Sequence, residues 1–372
     1  MPHGRDRLPS LLQQRLRTQH LTGAPLASPE DVVRRLGAVQ SQDYSGAKWS
    51  LGMRVLGATD ASIDAAFDAG RILRTHVLRP TWHFVHPTDI RWMQALTAPR
   101  VQALNASVVR RVSVDARTLT RCLDVIAREI QERGPRTRQE LGRALALKPV
   151  AEEGLRLAYI AMHAELEGLV CSGPMRGKEH TYALLEHRAP HALALTREEA
   201  LAELTRRFFT GHAPATDRHF AWWSGLSLTE ARSGIALVRD ALPPEVNVDG
   251  MRWIGRLDPS ETPPKRTAPD ESVALLVPEY DEALVGGRDM AVADMPRAPG
   301  AERWTDTYLR PVLIDGRRAG TWRRTIAKKE VRIETNLFAR LTRSQSALLG
   351  EAVTRYERFI GLPVVLRQSD RG

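Results

Sequence analysis

Gln40 and Gln42 stand two positions apart in the run Leu36-Gly37-Ala38-Val39-Gln40-Ser41-Gln42-Asp43-Tyr44. In an extended segment, side chains at that spacing point to one face, so the two amides can converge on a single bound atom. An amide donates and accepts hydrogen bonds but takes no proton at ordinary pH. The pair therefore suits a reaction whose leaving group is already activated, or recognition without chemistry. Asp43 adjoins it, either as an anion that supports a developing positive charge or as a cap for the next turn. Arg79, Thr81 and His83 alternate on one face of a second extended segment and can approach the same cleft. His83 equally suits a satisfied structural position, and Trp82, on the opposite face, reads as core.

Basic residues form two further clusters. Arg176 and Lys178 lie at the tip of one hairpin, and Arg317, Arg318, Arg323 and Arg324 surround Thr321-Trp322 in another. Such residues meet phosphates through salt-sensitive attraction, and an interleaved aromatic suits a groove or single-strand contact. Solvated tips and a sheet-anchoring Trp322 are the plainer alternatives. The chain as a whole has 54 basic and 44 acidic residues, a net charge of +10, and only six lysines. Arginine forks onto phosphates and guanine edges, so this balance favours an anionic partner, although a GC-rich genome yields the same bias. Trp222 and Trp223, about 100° apart on a helix, read as core. Glu279, Asp281 and Glu282 suit acid/base work or, more commonly for acids before a basic run, surface charge, and carry no assigned role.

The elements that must position these groups follow from local signals. Leu8 to Thr18 reads as a helix, and Ser28-Pro29-Glu30-Asp31 caps another running to Ala38, with Val32, Val33, Leu36 and Val39 on one face. A short helix over Ser62 to Ala69 precedes strands Arg74 to Leu78 and Thr81 to Val85. The order repeats: helix Thr118 to Glu132, a capping box at Thr137-Arg138-Gln139-Glu140, helix Leu155 to Glu167, then strands Leu169 to Ser172 and Thr181 to Leu185. A looser third copy has helices Arg197 to Thr210 and Thr216 to Gly225, a capping box at Ser227, and a hairpin turning at Asp249-Gly250. Helices closed by a basic hairpin are the winged form of helix-turn-helix. A linker at Asp258 to Lys265 leads to strands at Val273, Val312, Ala319 and Val331, a helix Thr342 to Ile360 and a last strand from Pro363. The predicted fold is mainly α with β-hairpin wings. It comprises three tandem winged-helix units, 1–116, 117–192 and 193–258, and a strand-rich C-terminal α+β or barrel-like unit over 259–372.

Other classes are disfavoured. Two cysteines in 372 residues are no disulfide framework and point to the cytoplasm, and there is neither a long apolar span nor an apolar leader at the start. No Cys or His pair has zinc-site spacing and no phosphate-binding glycine loop is present, so no metal and no nucleotide cofactor is expected.

Four stretches together resemble the AlkZ-type winged-helix DNA glycosylases over nearly the whole chain. They are the Gln40-Ser41-Gln42 run, the strand Leu78-Arg79-Pro80-Thr81-Trp82-His83-Phe84-Val85, the lead-in from Gly211 to Asp217 before Trp222-Trp223-Ser224-Gly225-Leu226, and the hairpin from Asp315 to Arg324. That family includes bacterial enzymes that unhook interstrand crosslinks. The resemblance implies a catalytic pair at Gln40 and Gln42, double-stranded DNA carrying alkylated bases as partner, and action as a monomer. The middle residue of the family's motif is usually aliphatic, whereas this chain has Ser41. Purines alkylated at N7 or N3 carry a positive charge, so their bond to the sugar breaks without protonation of the base. What remains is to stabilise an oxocarbenium-like sugar and position water, which fixed amide dipoles can do. Bulky adducts favour a shallow basic cleft over a flipping pocket. The alternative is a non-catalytic winged-helix regulator or damage-recognition protein; a regulator would require dimer symmetry and a specific site. An RNA-binding module, preferring structured RNA, is a third reading.

Overall fold

Helix α1 (Leu8–Thr18) is followed by α2 (Pro29–Leu36) in the computed structural model, which describes residues 8–112, 115–146, 151–248, 250–255, 272–284 and 310–370. The start of α2 follows its sequence. The Ser28 hydroxyl accepts from the Asp31 N–H, and Pro29 takes the first helical position. The helix stops at Gly37, whose φ of +80° a side chain would resist, and the chain leaves as strand β1 (Ala38–Gln40). Val39 therefore joins Val32, Val33 and Leu36 in one core from a strand, not from the expected helical face. The turn puts Gln40 at a strand end.

Helices α3 (Tyr44–Gly52) and α4 (Asp60–Asp68) and strands β2 (Leu73–Val77) and β3 (Arg79–Val85) complete an antiparallel sheet in the order β1-β3-β2. Helix α5 (Ile90–Arg111) then buries Trp92, Met93 and Leu96. Next come α6 (Ala116–Arg133), β4 (Arg136–Thr137), α7 (Arg138–Ala144), α8 (Ala151–Leu166), β5 (Val170–Arg176), β6 (Glu179–Leu184) and the short α9 (Leu185–Arg188), with sheet order β4-β6-β5. Helices α10 (Arg197–His212), α11 (Asp217–Ser224) and α12 (Leu228–Leu237) precede the hairpin β7 (Glu245–Val248) and β8 (Met251–Ile254). A single bridge from Ala215 to Ile254 stands where the other two groups have their first strand. The order helix, strand, helix, helix, strand, strand thus occurs twice in full and a third time with that bridge in place of the first strand. Asp249 of the expected turn and the linker at Asp258 to Lys265 lie outside the described residues.

The last strands, β9 (Ala274–Leu276), β10 (Pro311–Ile314), β11 (Arg317–Ile326), β12 (Val331–Leu337) and β13 (Val364–Asp370), make a five-stranded sheet ordered β13-β12-β11-β10-β9. Helix α13 (Arg343–Ile360) is the crossover that lets β12 and β13 run parallel. Among the described residues no pairing of β13 with β9 closes this sheet.

Packing decides where the site lies. The sheet β1-β3-β2 is covered on both faces. Val39 and Phe84 enter a core shared by α1 to α4, the C-terminal sheet and α13, while Ala38, Leu73 and Val85 enter another built on Trp92, Phe208 and Trp223. In the first core Trp49 meets Tyr356 and Phe359 at 5.0 Å each and donates its indole N–H to the Leu276 carbonyl at 2.7 Å. Truncating such a residue costs about 3 to 5 kcal/mol.

Candidate functional site

Gln40 pairs with His83 across β1 and β3, which puts it on the same face as Thr81 and Arg79. Its side-chain oxygen accepts from Arg79 Nη2 at 2.9 Å, and its backbone N–H donates to Glu282 Oε1 at 2.7 Å. Gln42, one residue beyond Ser41, is exposed, and its side-chain oxygen accepts from the Trp82 backbone N–H at 3.3 Å. A guanidinium and a peptide N–H are donors only, so the oxygen of each amide must face its partner and each NH2 must face elsewhere. Among the described residues neither NH2 has a hydrogen-bond acceptor. Ser41 is buried between them, with its carbonyl accepting from Arg74 Nε and Nη2 at 3.2 and 3.0 Å.

Asp43 caps α3, accepting from the Gly46 N–H at 3.2 Å. The C-terminal sheet reaches it here: Arg310 Nη2 lies 3.2 Å and Arg324 Nη2 3.8 Å from its carboxylate. Burial works against the charge, but Arg324, the Gly46 N–H and Arg310 outweigh it and hold the carboxyl below its ordinary pKa. Glu282 differs. It is fully buried, and burial pushes its pKa up to about 7 despite the Gln40 N–H, Arg79 and the Trp223 indole, which donates to Oε2 at 2.8 Å. The neighbouring Asp281 is held ionised by Arg54, with bonds of 2.8 and 2.9 Å. The expectation of surface charge at Asp281 and Glu282 is therefore corrected, since both are core groups with partners distant in sequence.

Arg79 gathers several contacts at one point. Besides Gln40 it bonds the carbonyls of Trp222 and Trp223 at 3.2 and 2.7 Å, and its guanidinium lies 4.6 Å from the Trp222 ring centre. Trp223 is core as expected, but Trp222 is 36% exposed, because one indole of an adjacent helical pair turns outward. Trp82 is not core either; it is partly buried, with Arg74 at 4.4 Å from its ring. His83 is fully buried, its Nδ1 3.0 Å from the Thr81 carbonyl. Burial first, then the charge of Arg79, keeps its pKa well below the usual imidazole range, so it is a neutral group beneath the site. The Thr81 hydroxyl is buried, with no hydrogen-bond partner among the described residues.

The basic clusters separate. Arg324 bonds the Ser45 hydroxyl at 2.6 Å and belongs to the Gln42–Asp43 neighbourhood. Arg323 is exposed and pairs with Glu334, Arg317 is exposed at the β10–β11 turn, and Arg318 lies 5.4 Å from the Phe338 ring centre. Arg176 bonds Glu140 at 2.8 Å on the β5–β6 hairpin, where Lys178 is exposed. Trp322 anchors its sheet through the Val277 carbonyl at 2.8 Å. Sequence reading missed Glu282, Arg310 and Arg74 as parts of this site, and no periodicity or motif around them signals it. Among the described residues no His, Cys, Asp and Glu group is arranged to hold a metal, and no helix is long and apolar enough to cross a membrane.

Comparisons with known proteins identify the family and the fold. An interstrand DNA cross-link repair glycosylase of Streptomyces sahachiroi is 27% identical over 320 residues, spanning 83% of this chain and 85% of that protein. The solved structure of Streptomyces sahachiroi DNA glycosylase AlkZ shares the fold, with a TM-score of 0.74 at 23% identity over 96% of this chain and 99% of the other. The model of the AlkZ-like DNA glycosylases matches residues 33–359, which hold the strand of Gln40, the Arg79 turn, the buried Glu282 and the Arg310–Arg324 sheet. The chain belongs to the AlkZ-like DNA glycosylase family.

Proposed function

We propose that the protein hydrolyses the N-glycosidic bond of purines alkylated at N7 or N3 in double-stranded DNA, interstrand crosslinks included, as a cytoplasmic monomer with Gln40 and Gln42 as its catalytic amides. One observation carries this: each amide has its oxygen tied to a fixed donor and its NH2 unengaged among the described residues. Two oriented neutral dipoles fit a substrate that brings its own positive charge, because no proton must be delivered to the leaving base. Asp43, kept ionised beside Arg310 and Arg324, supplies the nearby anion that a sugar cation favours. Crosslinks enter because the Streptomyces relative is named for their repair.

The element order, met twice in full and a third time with a bridge for its first strand, supports three winged-helix units followed by the C-terminal sheet, with Arg176, Lys178, Arg317, Arg318 and Arg323 meeting phosphates and Arg324 bracing the cleft. The test is mass spectrometry of bases released from methylated and mustard-crosslinked duplex, with alkali nicking of the abasic product. Gln40→Ala and Gln42→Ala are each expected to slow release about 10²- to 10³-fold. Equal release by all three proteins removes the pair from the mechanism, and sequence-specific binding without base release favours a regulator.

A further inference from the structure

Glu282 is a buried carboxylate with no direct salt bridge among the described residues, although the charges of Arg79 and Arg15 act on it from further away. Burying such a group costs several kcal/mol unless its hydrogen bonds are good. Its two oxygens accept from the Gln40 backbone N–H at 2.7 Å and from the Trp223 indole at 2.8 Å.

Strand geometry explains what the carboxylate holds. Strand β1 is the edge of its sheet, and the Ser41 N–H bonds the Trp82 carbonyl at 2.7 Å. Gln40 and His83 are therefore a pair whose N–H and C=O groups point away from each other, and the Gln40 N–H turns off the open edge. Glu282 takes that donor. Trp223 then connects Glu282 to Arg79, since its indole binds the carboxylate and its carbonyl accepts from Arg79 Nη1 at 2.7 Å. Arg79 Nη2 returns to the Gln40 side-chain oxygen at 2.9 Å. Gln40 is gripped at backbone and side chain by one closed circuit.

We propose that Glu282 is a positioning residue for Gln40, fixing the strand end so that the amide oxygen stays on Arg79 and the NH2 faces the substrate. The proposal rests on the reading of Gln40 as a catalytic amide. A misplacement of about 1 Å at a reacting centre can lower a rate roughly 100-fold, so a group that only fixes an edge strand can govern turnover.

The test uses the full chain and N7-methylated duplex under single-turnover conditions. Glu282→Gln is close to isosteric, but it presents one oxygen to two N–H donors and cannot hold both Gln40 and Trp223 as before. The rate is expected to fall about 10- to 100-fold with duplex affinity within about 2-fold of wild type, the displacement effect above acting on chemistry and not on binding. In a Gln40→Ala background the same substitution should change the rate by less than about 2-fold, because its effect runs through Gln40. Glu282→Asp keeps both oxygens on a shorter arm and should lose less; it serves if the Gln variant does not fold. Amide hydrogen exchange reads the contact without activity, and the Gln40 N–H should exchange faster in Glu282→Gln. A wild-type rate in Glu282→Gln, a multiplied loss in the Gln40→Ala background, or a larger loss in the Asp variant overturns the proposal. Absence of base release by the wild type defeats the catalytic reading of Gln40, and with it this proposal; unchanged Gln40 exchange defeats the positioning role alone.

Discussion

Arg310 meets Asp43 with Nη2 3.2 Å from the carboxylate, across 267 residues of sequence. Arg324 adds a second guanidinium, and although burial raises the Asp43 pKa, Arg324, Gly46 and Arg310 bring the net value below the ordinary range. A carboxyl depressed in the folded state contributes stability above its unfolded pKa of about 3.9 and loses it as pH falls through the folded value. Asparagine also caps helices, so Asp43→Asn removes the charge and spares the cap. It should destabilise the protein at neutral pH by about 1 to 2 kcal/mol and flatten the decline of melting temperature in acid. Calorimetry from pH 7 down to about 3 checks this, and identical pH profiles would exclude the ion pair as a source of stability.

Gln40→Glu keeps the oxygen that Arg79 binds and replaces the NH2 by a second oxygen. The shape survives and the donor does not. Base release should fall about 10²- to 10³-fold, the range for loss of one preorganised donor, while the melting temperature holds or rises. Activity retained in this variant would mean that the reaction uses the acceptor side of the residue.

Gly225 holds the turn that carries Arg79. It has φ of +71°, and a Cβ there would lie 2.2 Å from the Leu78 carbonyl oxygen. Leu78 itself has φ of +65°, so neither backbone gives easily. Gly225→Ala should lower unfolding free energy by at least about 2 kcal/mol in denaturant titration. Gly57→Ala, at φ of +65° with nothing among the described residues within 4 Å, should lose only about 1 to 2 kcal/mol from backbone strain. Equal losses would show that the approach to Leu78 does not matter.

The arginines of β11 should divide by burial. The Arg324 side chain is 6% exposed, bonded to Ser45 and 5.7 Å from the Tyr356 ring centre, so Arg324→Ala should lower the melting temperature. Arg317 is exposed at the turn, and Arg317→Ala should leave stability unchanged while reducing the salt slope of duplex binding by about 1. Fluorescence anisotropy across a salt series, beside thermal melting, separates the two outcomes.

What could be read in advance was local. Ser28, Thr137 and Ser227 each cap the helix their spacing announced, because capping involves residues three apart. Helix α5 gave no such signal: its first half is largely buried and Pro99, a residue that usually ends helices, lies inside it, so no polar stripe marks a face. Helix α3 is similar, with even Lys48 buried and paired to Asp60 and Asp64. Strand alternation brings Arg79 toward Gln40, but Glu282 reaches Gln40 across 242 residues and Arg54 reaches Asp281 across 227. Acids whose partners lie that far away look solvated when read in isolation.

Trp49 leaves the ribosome 227 residues before Leu276, the carbonyl that receives its indole N–H, and Tyr356 and Phe359 emerge later still. At synthesis rates of about 5 to 20 residues per second, the indole N–H waits roughly 10 to 45 s for its acceptor and the aromatic face stays unmatched for roughly 15 to 60 s. Interrupted translation products ending before the last sheet therefore leave that face permanently uncovered, which makes them substrates for chaperones and proteases and not small working enzymes.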